Sequence, residues 1–211
     1  MPESLSQSLL TQLEDFFGAC NFTPLWPYQQ FRKKHSGGFT ATIISAGNAW
    51  PSFAELHLGV RVDLVEQLVY QFTSGLAEYG PHSTTLITSA GRILGRPYFR
   101  YSLESPSDIT VAAEQMKQFM DSEGFGFLEK YQRIDALDNL FNDEPHEKSP
   151  YLTNQLNRSL RGIILAKLAQ REHWLQLVIG YRAQLTLRGT PGPMMQRYDR
   201  LTDYLINFSV N

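Results

Sequence analysis

The sequence contains a single cysteine, Cys20, among 211 residues, so it cannot form an intramolecular disulfide. Such sparing use of cysteine is typical of a reducing compartment, and we expect a cytoplasmic location. The first ten residues lack the basic start and the long apolar run of a signal peptide. No stretch reaches the roughly 18 apolar residues of a membrane-spanning helix, so we expect no membrane partner.

An excess of charge of one sign is also lacking. The 19 Lys and Arg residues are balanced by 21 Asp and Glu residues, which gives a formal net charge of −2. A dedicated nucleic-acid binder usually carries a basic domain, because neutralising phosphates supplies most of its affinity. The balance therefore disfavours a nucleic-acid partner. Nucleic-acid binding would require two basic groups to be adjacent in space. The first group is Arg32, Lys33 and Lys34, and the second is Arg92, Arg96 and Arg100.

Short motifs for catalysis and metal binding are missing. The five histidines are never three or four residues apart, so the paired helical zinc ligands do not occur. The glycines of residues 91–96 and 124–126 match neither the phosphate-binding loop nor the dinucleotide fingerprint, and no Gly-x-Ser-x-Gly elbow is found. We therefore expect no metal and no cofactor, and we identify no catalytic residue. Enzymatic activity stays an open question, and the absence of these motifs argues against it.

Apolar residues, in contrast, are plentiful and regularly spaced. They make up 42% of the chain and include 13 Phe, 10 Tyr and 3 Trp, which excludes a disordered chain. Their spacing predicts the order α-β-β-β-α-β-β-α up to residue 121. The first helix follows a cap at Ser4, a turn at His35–Gly38 joins two strands, the second helix ends at Gly80-Pro81, and a turn at 90–95 precedes a strand at 97–103. The clearest strand is at 54–62, where apolar and polar residues alternate. Tight turns between strands favour antiparallel pairing. We predict the α+β class, an antiparallel sheet of about five strands with helices on one face.

The remainder of the chain is predicted to be helical. Residues 143–150 are polar with two prolines and are the best linker candidate. We therefore predict an α+β domain over residues 1–142 and a C-terminal helical segment over residues 151–211. About 60 residues make a marginal core alone, so we expect this segment to dock on the first domain.

One group of polar residues is a candidate binding site. Glu55, His57 and Arg61 alternate with apolar residues in the strand at 54–62, so they share one face at a spacing of roughly 7 Å. Arg100 joins them if its own strand faces the same way. The competing interpretation is a solvated outer sheet face, which antiparallel sheets commonly have. Trp26 and Trp50 flank prolines in loops and are either lids over the core or anchors for a partner.

Three segments carry a resemblance to a known family. The run Phe53–Asp63 (FAELHLGVRVD), together with Gly126–Glu129 and Asp135–Asn142, resembles a pattern in uncharacterised bacterial domain-of-unknown-function proteins. Some of those proteins are placed near immunity proteins of toxin systems. Separately, the order of elements is similar to the type III secretion chaperone fold. Both resemblances imply a protein that binds another protein.

The leading hypothesis is a non-enzymatic cytoplasmic protein-binding protein, immunity-like or chaperone-like. The alternative is a small-molecule-binding protein or an enzyme with its site around Glu55, His57 and Arg61, in which Glu55 and His57 would exchange protons with a substrate. A homodimer is compatible with either hypothesis, because a sheet with a partly apolar second face must cover that face.

Overall fold

The structure, a computed structural model, describes residues 4–47, 50–73 and 77–209, with the backbone alone for residues 77–79. It belongs to the α+β class, as the sequence predicts, with an antiparallel sheet followed by helices. The chain divides into two compact units. The first comprises Met1–Val60 and Leu86–Lys130, and the second comprises Arg61–Thr85 and Tyr131–Asn211.

The sheet has six strands within the described residues. They are β1 (Thr23–Leu25), β2 (Gln30–His35), β3 (Gly38–Ala46), β4 (Ser52–Val62), β5 (Leu86–Ser89) and β6 (Tyr101–Leu103). Strands β1 to β5 are neighbours in chain order, and β6 also pairs with β4. Strand β6 pairs with residues 52–54 of β4, whereas β5 pairs with residues 57–60 of β4. Two short strands thus share one long strand and leave Glu55 and Leu56 between them.

Helices make up much of the rest of the described chain. They are α1 (Leu5–Ala19), α2 (Asp63–Phe72), α3 (Ala90–Ile93), α4 (Asp108–Phe119), α5 (Phe125–Tyr131), α6 (Ile134–Asn142), α7 (Gln155–Leu168), α8 (Trp174–Leu187) and α9 (Gly192–Ile206). Short 3-10 helices cover Trp26–Tyr28 and Ala77–His82, and a π-helical turn, Met120–Gly124, joins α4 to α5.

The first unit is built on the apolar side of the sheet. Helix α1 starts at a capping box, in which the Ser4 hydroxyl accepts from the backbone of Gln7 and the Gln7 side chain accepts from Ser4. Its apolar face packs on β1, β3 and α4. The Phe17 ring stacks on Phe31 of β2 at 4.4 Å between centroids, and both rings are fully buried. The side chains of β4 that face this core are Ala54, Leu56, Leu58 and Val60.

The second unit is a group of packed helices joined by buried polar contacts. Helix α7 packs on α2, α6, α8 and α9. Glu66 of α2 is buried and accepts two hydrogen bonds of 2.8 Å from the guanidinium of Arg161 in α7. Arg158, also buried, donates to the carbonyls of Phe141, Glu144 and Glu147. The segment 143–150, which the sequence predicts to be a linker, therefore lies within this unit and is bound by α7.

Three local predictions differ from the structure. The strand predicted for residues 97–103 covers only β6, and the predicted turn at 90–95 contains the short helix α3. The second predicted helix ends at Phe72 instead of continuing to the Gly80-Pro81 pair, although Leu76 lies outside the described residues. The short strand β1 was not predicted, since three residues that contain a proline carry no alternation to recognise.

Candidate functional site

Glu55 and His57 lie on the side of β4 opposite the buried Leu56 and Leu58. Both side chains are about one-quarter exposed, and the His57 Nε2 atom is 3.5 Å from Glu55 Oε2. The other carboxylate oxygen of Glu55, Oε1, accepts a hydrogen bond of 2.8 Å from Nε of Arg100. Glu55 is therefore the centre of a polar group whose other two members are His57 and Arg100.

Arg100 reaches Glu55 because of the way β6 joins the sheet. Ser102 of β6 pairs with Phe53 of β4, and Arg100 is two residues earlier, on the same side as Ser102. The intervening Tyr101 points to the opposite side, where it is buried, and burial raises the pKa of its hydroxyl to about 12 against the opposing charge of Arg96. Because side chains alternate along the strand, the buried hydroxyl of Tyr101 and the exposed guanidinium of Arg100 lie on opposite sides of the sheet.

A tight connection from β5 fixes the approach to Arg100. The backbone N–H of Arg96 donates to the carbonyl of Gly91 at 2.7 Å, and that of Phe99 donates to Arg96 at 2.9 Å. A Cβ atom at Gly91 would lie 2.6 Å from the Arg96 carbonyl oxygen. Only glycine permits this close approach, because backbone atoms cannot give way as the end of a flexible side chain can.

Exposed apolar side chains surround the polar group. The Arg100 guanidinium lies 4.1 Å from the ring centroid of Phe53, which is 44% exposed. Ile87, which is 50% exposed, is opposite Gly59 in the register and so shares the same side of the sheet. We call the set Phe53, Glu55, His57, Ile87 and Arg100 the outer sheet patch.

The stretch of chain that supplies Ile87 and Arg100 to the outer sheet patch is rich in arginine. Residues 86–103 contain Arg92, Arg96 and Arg100 and no carboxylate. Glu55 offsets one of these charges through its bond to Arg100, and Arg96 lies over the ring of Phe99 at 4.9 Å. Tyr98, in the same stretch, is 94% exposed. This stretch thus combines aromatic rings with guanidinium groups, and Glu104, which accepts a hydrogen bond of 3.4 Å from the Ser102 hydroxyl, follows it.

Arg61 does not join Glu55 and His57. Its side chain is buried, with Nε donating to Asp63 and Nη1 donating to the carbonyls of Gly80 and Ser83 at 2.8 and 2.9 Å. These bonds tie the end of β4 to the 3-10 turn before β5. The alternating pattern places Arg61 on the expected side of the strand, but it cannot show that local carbonyl groups bind the guanidinium.

Trp26 and Trp50 are both 38% exposed. Trp26 begins the short 3-10 helix before β2, and Trp50 precedes Pro51 and the start of β4. Neither side chain belongs to the outer sheet patch.

Phe53 and Ile87 were not predicted as site residues. The signal for Phe53 was present, because it precedes Glu55 by two residues in an alternating strand and so lies on the polar side. The position of Ile87 follows only from the pairing of β5 with β4, which the sequence does not encode locally.

The patch supports recognition better than metal chemistry. In the part of the chain that the structure describes, no group of three His, Cys, Asp or Glu side chains is arranged to hold a metal ion. The Glu55–His57 pair could move a proton, yet both groups are accessible to water. A separate cavity of about 320 Å³ lies in the second unit beside Asp143, Glu144, Glu147 and Arg158, and no candidate residue lines it.

Comparison of the chain with protein-family models, with curated proteins and with solved structures finds no match. No helix among the described residues is both long enough and apolar enough to cross a membrane.

Proposed function

We propose that this chain binds another protein through the outer sheet patch and recognises an acidic segment of that partner. The observation that carries the proposal is the arrangement of Arg100, which Glu55 orients from one side and Phe53 supports from below. A guanidinium held in this way is ready to form paired hydrogen bonds with a carboxylate.

The composition of the patch supports a protein partner. Aromatic residues and arginine are enriched in interfaces and in the few positions that dominate binding energy. Phe53 and Arg100 are of these types, and the nearby Tyr98 is almost fully exposed. The two contacts that hold Arg100 reduce the side-chain entropy that binding would otherwise cost.

The charge around the patch supports an acidic partner. Three arginines without a carboxylate in residues 86–103 attract negative charge, although the whole chain has a net charge of −2. A nucleic acid fits less well, because the basic residues Arg32, Lys33 and Lys34 do not all lie on one side of the sheet. Arg32 is buried over the ring of Phe39 at 3.7 Å, and alternation puts Lys33 on the other side of β2 from Arg32.

This mode of action agrees with the expectation of an immunity-like or chaperone-like protein in a bacterial cytoplasm. Both classes act by covering a surface of another protein, and an exposed sheet face with a few anchoring side chains suits that task. The action requires neither a cofactor nor a catalytic residue.

The test is site-specific photo-crosslinking in living cells of the source organism. A photoreactive phenylalanine analogue replaces Tyr98, beside the patch, and in a separate variant replaces Val111 of α4, which is 55% exposed. We expect a discrete protein adduct from position 98 only. The adduct should disappear with Arg100→Glu and persist with Arg133→Glu, because Arg133 also pairs with a carboxylate, Asp135, but lies far along the chain.

Three results would overturn the proposal. They are adducts of equal yield from both positions, an adduct that Arg100→Glu leaves unchanged, and an adduct that nuclease treatment removes. An adduct with a small molecule instead of a protein would favour the alternative of a ligand-binding site around Glu55 and His57.

A further inference from the structure

Ser89 lies directly opposite His57 on the outer side of the sheet. The register pairs His57 of β4 with Ser89 of β5, and opposed residues of an antiparallel pair project to the same side. The Cβ atoms of such a pair are about 5 Å apart, which lets an imidazole nitrogen reach a serine oxygen. Ser89 is half-buried at the point where β5 ends and α3 begins, so its hydroxyl is accessible to a small molecule.

The hydroxyl of Ser89 and the imidazole of His57 each have unused bonding capacity. The Ser89 oxygen accepts a hydrogen bond of 3.3 Å from the backbone N–H of Arg92, as the cap of α3. Among the described residues this hydroxyl donates to no acceptor. In the same part of the chain His57 has a polar contact only through Nε2, with Glu55, which leaves its Nδ1 atom available.

We propose that Ser89 is a nucleophile which His57 activates and Glu55 supports, and that this set hydrolyses small carboxylic esters. His57 is the base, and Glu55 is a positioning residue that holds the ring by Nε2 and stabilises the charge it acquires. The structure shows no hydrogen bond between Ser89 and His57, and catalytic hydrogen bonds often tighten only when substrate binds. This activity goes beyond the recognition of a protein and requires no partner.

Arg100 completes the arrangement from β6. It reaches Glu55 across the strands, as Ser89 reaches His57, so the four side chains form two opposed pairs about 7 Å apart along β4. Only Nε of the Arg100 guanidinium forms a hydrogen bond within the described chain. The remaining N–H groups can bind the carbonyl oxygen of an ester held over Ser89, where negative charge develops during attack.

The reaction proceeds in two balanced steps. His57 takes the proton of Ser89 as the Ser89 oxygen attacks the ester carbonyl; the bond to the leaving alkoxide breaks, and His57 returns the proton to that alkoxide. Water then attacks the acyl-serine and gives its proton to His57. The bond to Ser89 breaks, and His57 protonates the serine oxygen. The products are one alcohol and one carboxylic acid for each ester and water consumed.

The surroundings of Ser89 favour a short acyl chain. Ile87 lies two residues earlier in β5, on the same side of the sheet, and is 50% exposed. An exposed sheet face covers only one side of a ligand, whereas the tight binding of a long chain needs burial on most sides.

Two measurements on the full chain test the proposal. A fluorophosphonate, which forms a stable bond with activated serines, should label Ser89, as located by peptide mass spectrometry. The chain should also hydrolyse p-nitrophenyl acetate, and Ser89→Ala should lower kcat/KM at least about 100-fold. Ser102→Ala is the matched control, because Ser102 lies in β6 and pairs with Phe53, outside the set; it should leave kcat/KM unchanged.

The base and the carboxylate are tested separately. His57→Gln should lower kcat/KM about 100-fold or more, whereas His173→Asn, at an exposed position of the second unit, should not. Glu55→Gln should lower kcat about tenfold or more and leave KM unchanged, because glutamine cannot stabilise the charge on His57. A merely structural role of Glu55 would not produce this separation of kcat from KM.

Ser89→Asn separates catalysis from folding. Asparagine also caps helices well but has no nucleophilic hydroxyl. This variant should therefore keep the melting temperature of the parent and lose the activity.

The proposal fails if the fluorophosphonate labels no residue or a residue other than Ser89. It also fails if Ser89→Ala and Ser89→Asn hydrolyse the ester as fast as the parent, or if His57→Gln is no slower than His173→Asn. A Glu55→Gln variant with unchanged kcat would remove Glu55 from the set.

Discussion

The hydroxyl of Tyr181 belongs to a buried hydrogen-bond network where α6, α7 and α8 meet. It lies 2.8 Å from the carbonyl of Phe141 and 2.9 Å from Oδ1 of Asn142. Nδ2 of Asn142 donates to Asp138 and to the carbonyl of Gly162. A Cβ at Gly162 would lie 2.7 Å from Asn142 Oδ1, so the helices approach as closely as glycine allows. Removing one member of this network therefore leaves its partners without a replacement hydrogen bond unless the packed helices move.

The substitution Tyr181→Phe removes the hydroxyl and keeps the ring. The carbonyl of Phe141 retains a donor, because Nε of Arg158 also binds it at 3.0 Å. Oδ1 of Asn142 loses its only donor within the described residues. A lost hydrogen bond costs about 1 kcal/mol, and a stranded buried acceptor adds about 1 kcal/mol more. We therefore expect the free energy of unfolding to fall by about 2 kcal/mol at pH 7.

The same substitution should behave differently in alkali. Burial raises the pKa of Tyr181 from 10.0 to about 12, with the positive charge of Arg158 opposing part of the rise. The folded state holds the proton more tightly, so this contribution to stability is complete below pH 10 and is lost as the pH rises towards 12. At pH 11 the loss is about 1.4 kcal/mol. The phenylalanine variant does not suffer it, so its deficit should shrink to less than about 1 kcal/mol.

Urea denaturation at pH 7, 9, 10.5 and 11, followed by far-UV circular dichroism and by fluorescence, measures both effects. Trp174 reports on the same unit, since its indole N–H donates to the carbonyl of Ile163 at 2.8 Å. Tyr204→Phe, at a 41% exposed position of α9, is the control and should change stability by less than about 0.5 kcal/mol. A Tyr181→Phe deficit that is equal at pH 7 and pH 11 would refute the reasoning.

Further predictions concern charges and a helix cap. Glu66→Ala leaves the guanidinium of Arg161, whose side chain is 12% exposed, without its carboxylate and should lower the free energy of unfolding by about 3 kcal/mol in urea, whereas Glu66→Leu combined with Arg161→Met should recover most of it. The N–H groups of Ser105 and Glu104 hold the pKa of Asp108 below its usual value, so Asp108→Asn should be less stable at pH 7. Its deficit should shrink below about pH 4, where acid also removes the charge from Asp108 in the parent, and a pH titration of the melting temperature checks this. Ser4→Ala should cost about 1 kcal/mol of stability, and Ser4→Asp should cost much less.

Short-range patterns predicted most of the elements. The Ser4 cap and the apolar spacing gave the first helix, because capping and burial of one helix face act within a few residues. The alternation of residues 54–62 gave β4 and the side on which Glu55 and His57 lie. The turn at His35–Gly38 gave the β2–β3 hairpin. Each prediction needed only neighbours in the chain.

The make-up of the larger units depends on contacts between distant parts of the chain. The second unit includes both Arg61–Thr85 and Tyr131–Asn211, so it is assembled from separate parts of the chain. Composition identified residues 143–150 as a break because they are polar and contain proline. It could not show that Arg158, far along the chain, binds their carbonyls, since a buried guanidinium and a solvated one look alike in sequence.

The sequence by itself determined the class of the fold, the alternation of β4 and the membership of Glu55 and His57 in one exposed face, because hydrophobic periodicity encodes which side of an element is buried. Only the tertiary structure decided that Arg100 would bind Glu55 and that Arg61 would not join them. The reason is physical. Whether a side chain is available for a partner depends on which distant groups satisfy its hydrogen bonds, and pairing of β6 with β4 brings those groups together only in the folded chain.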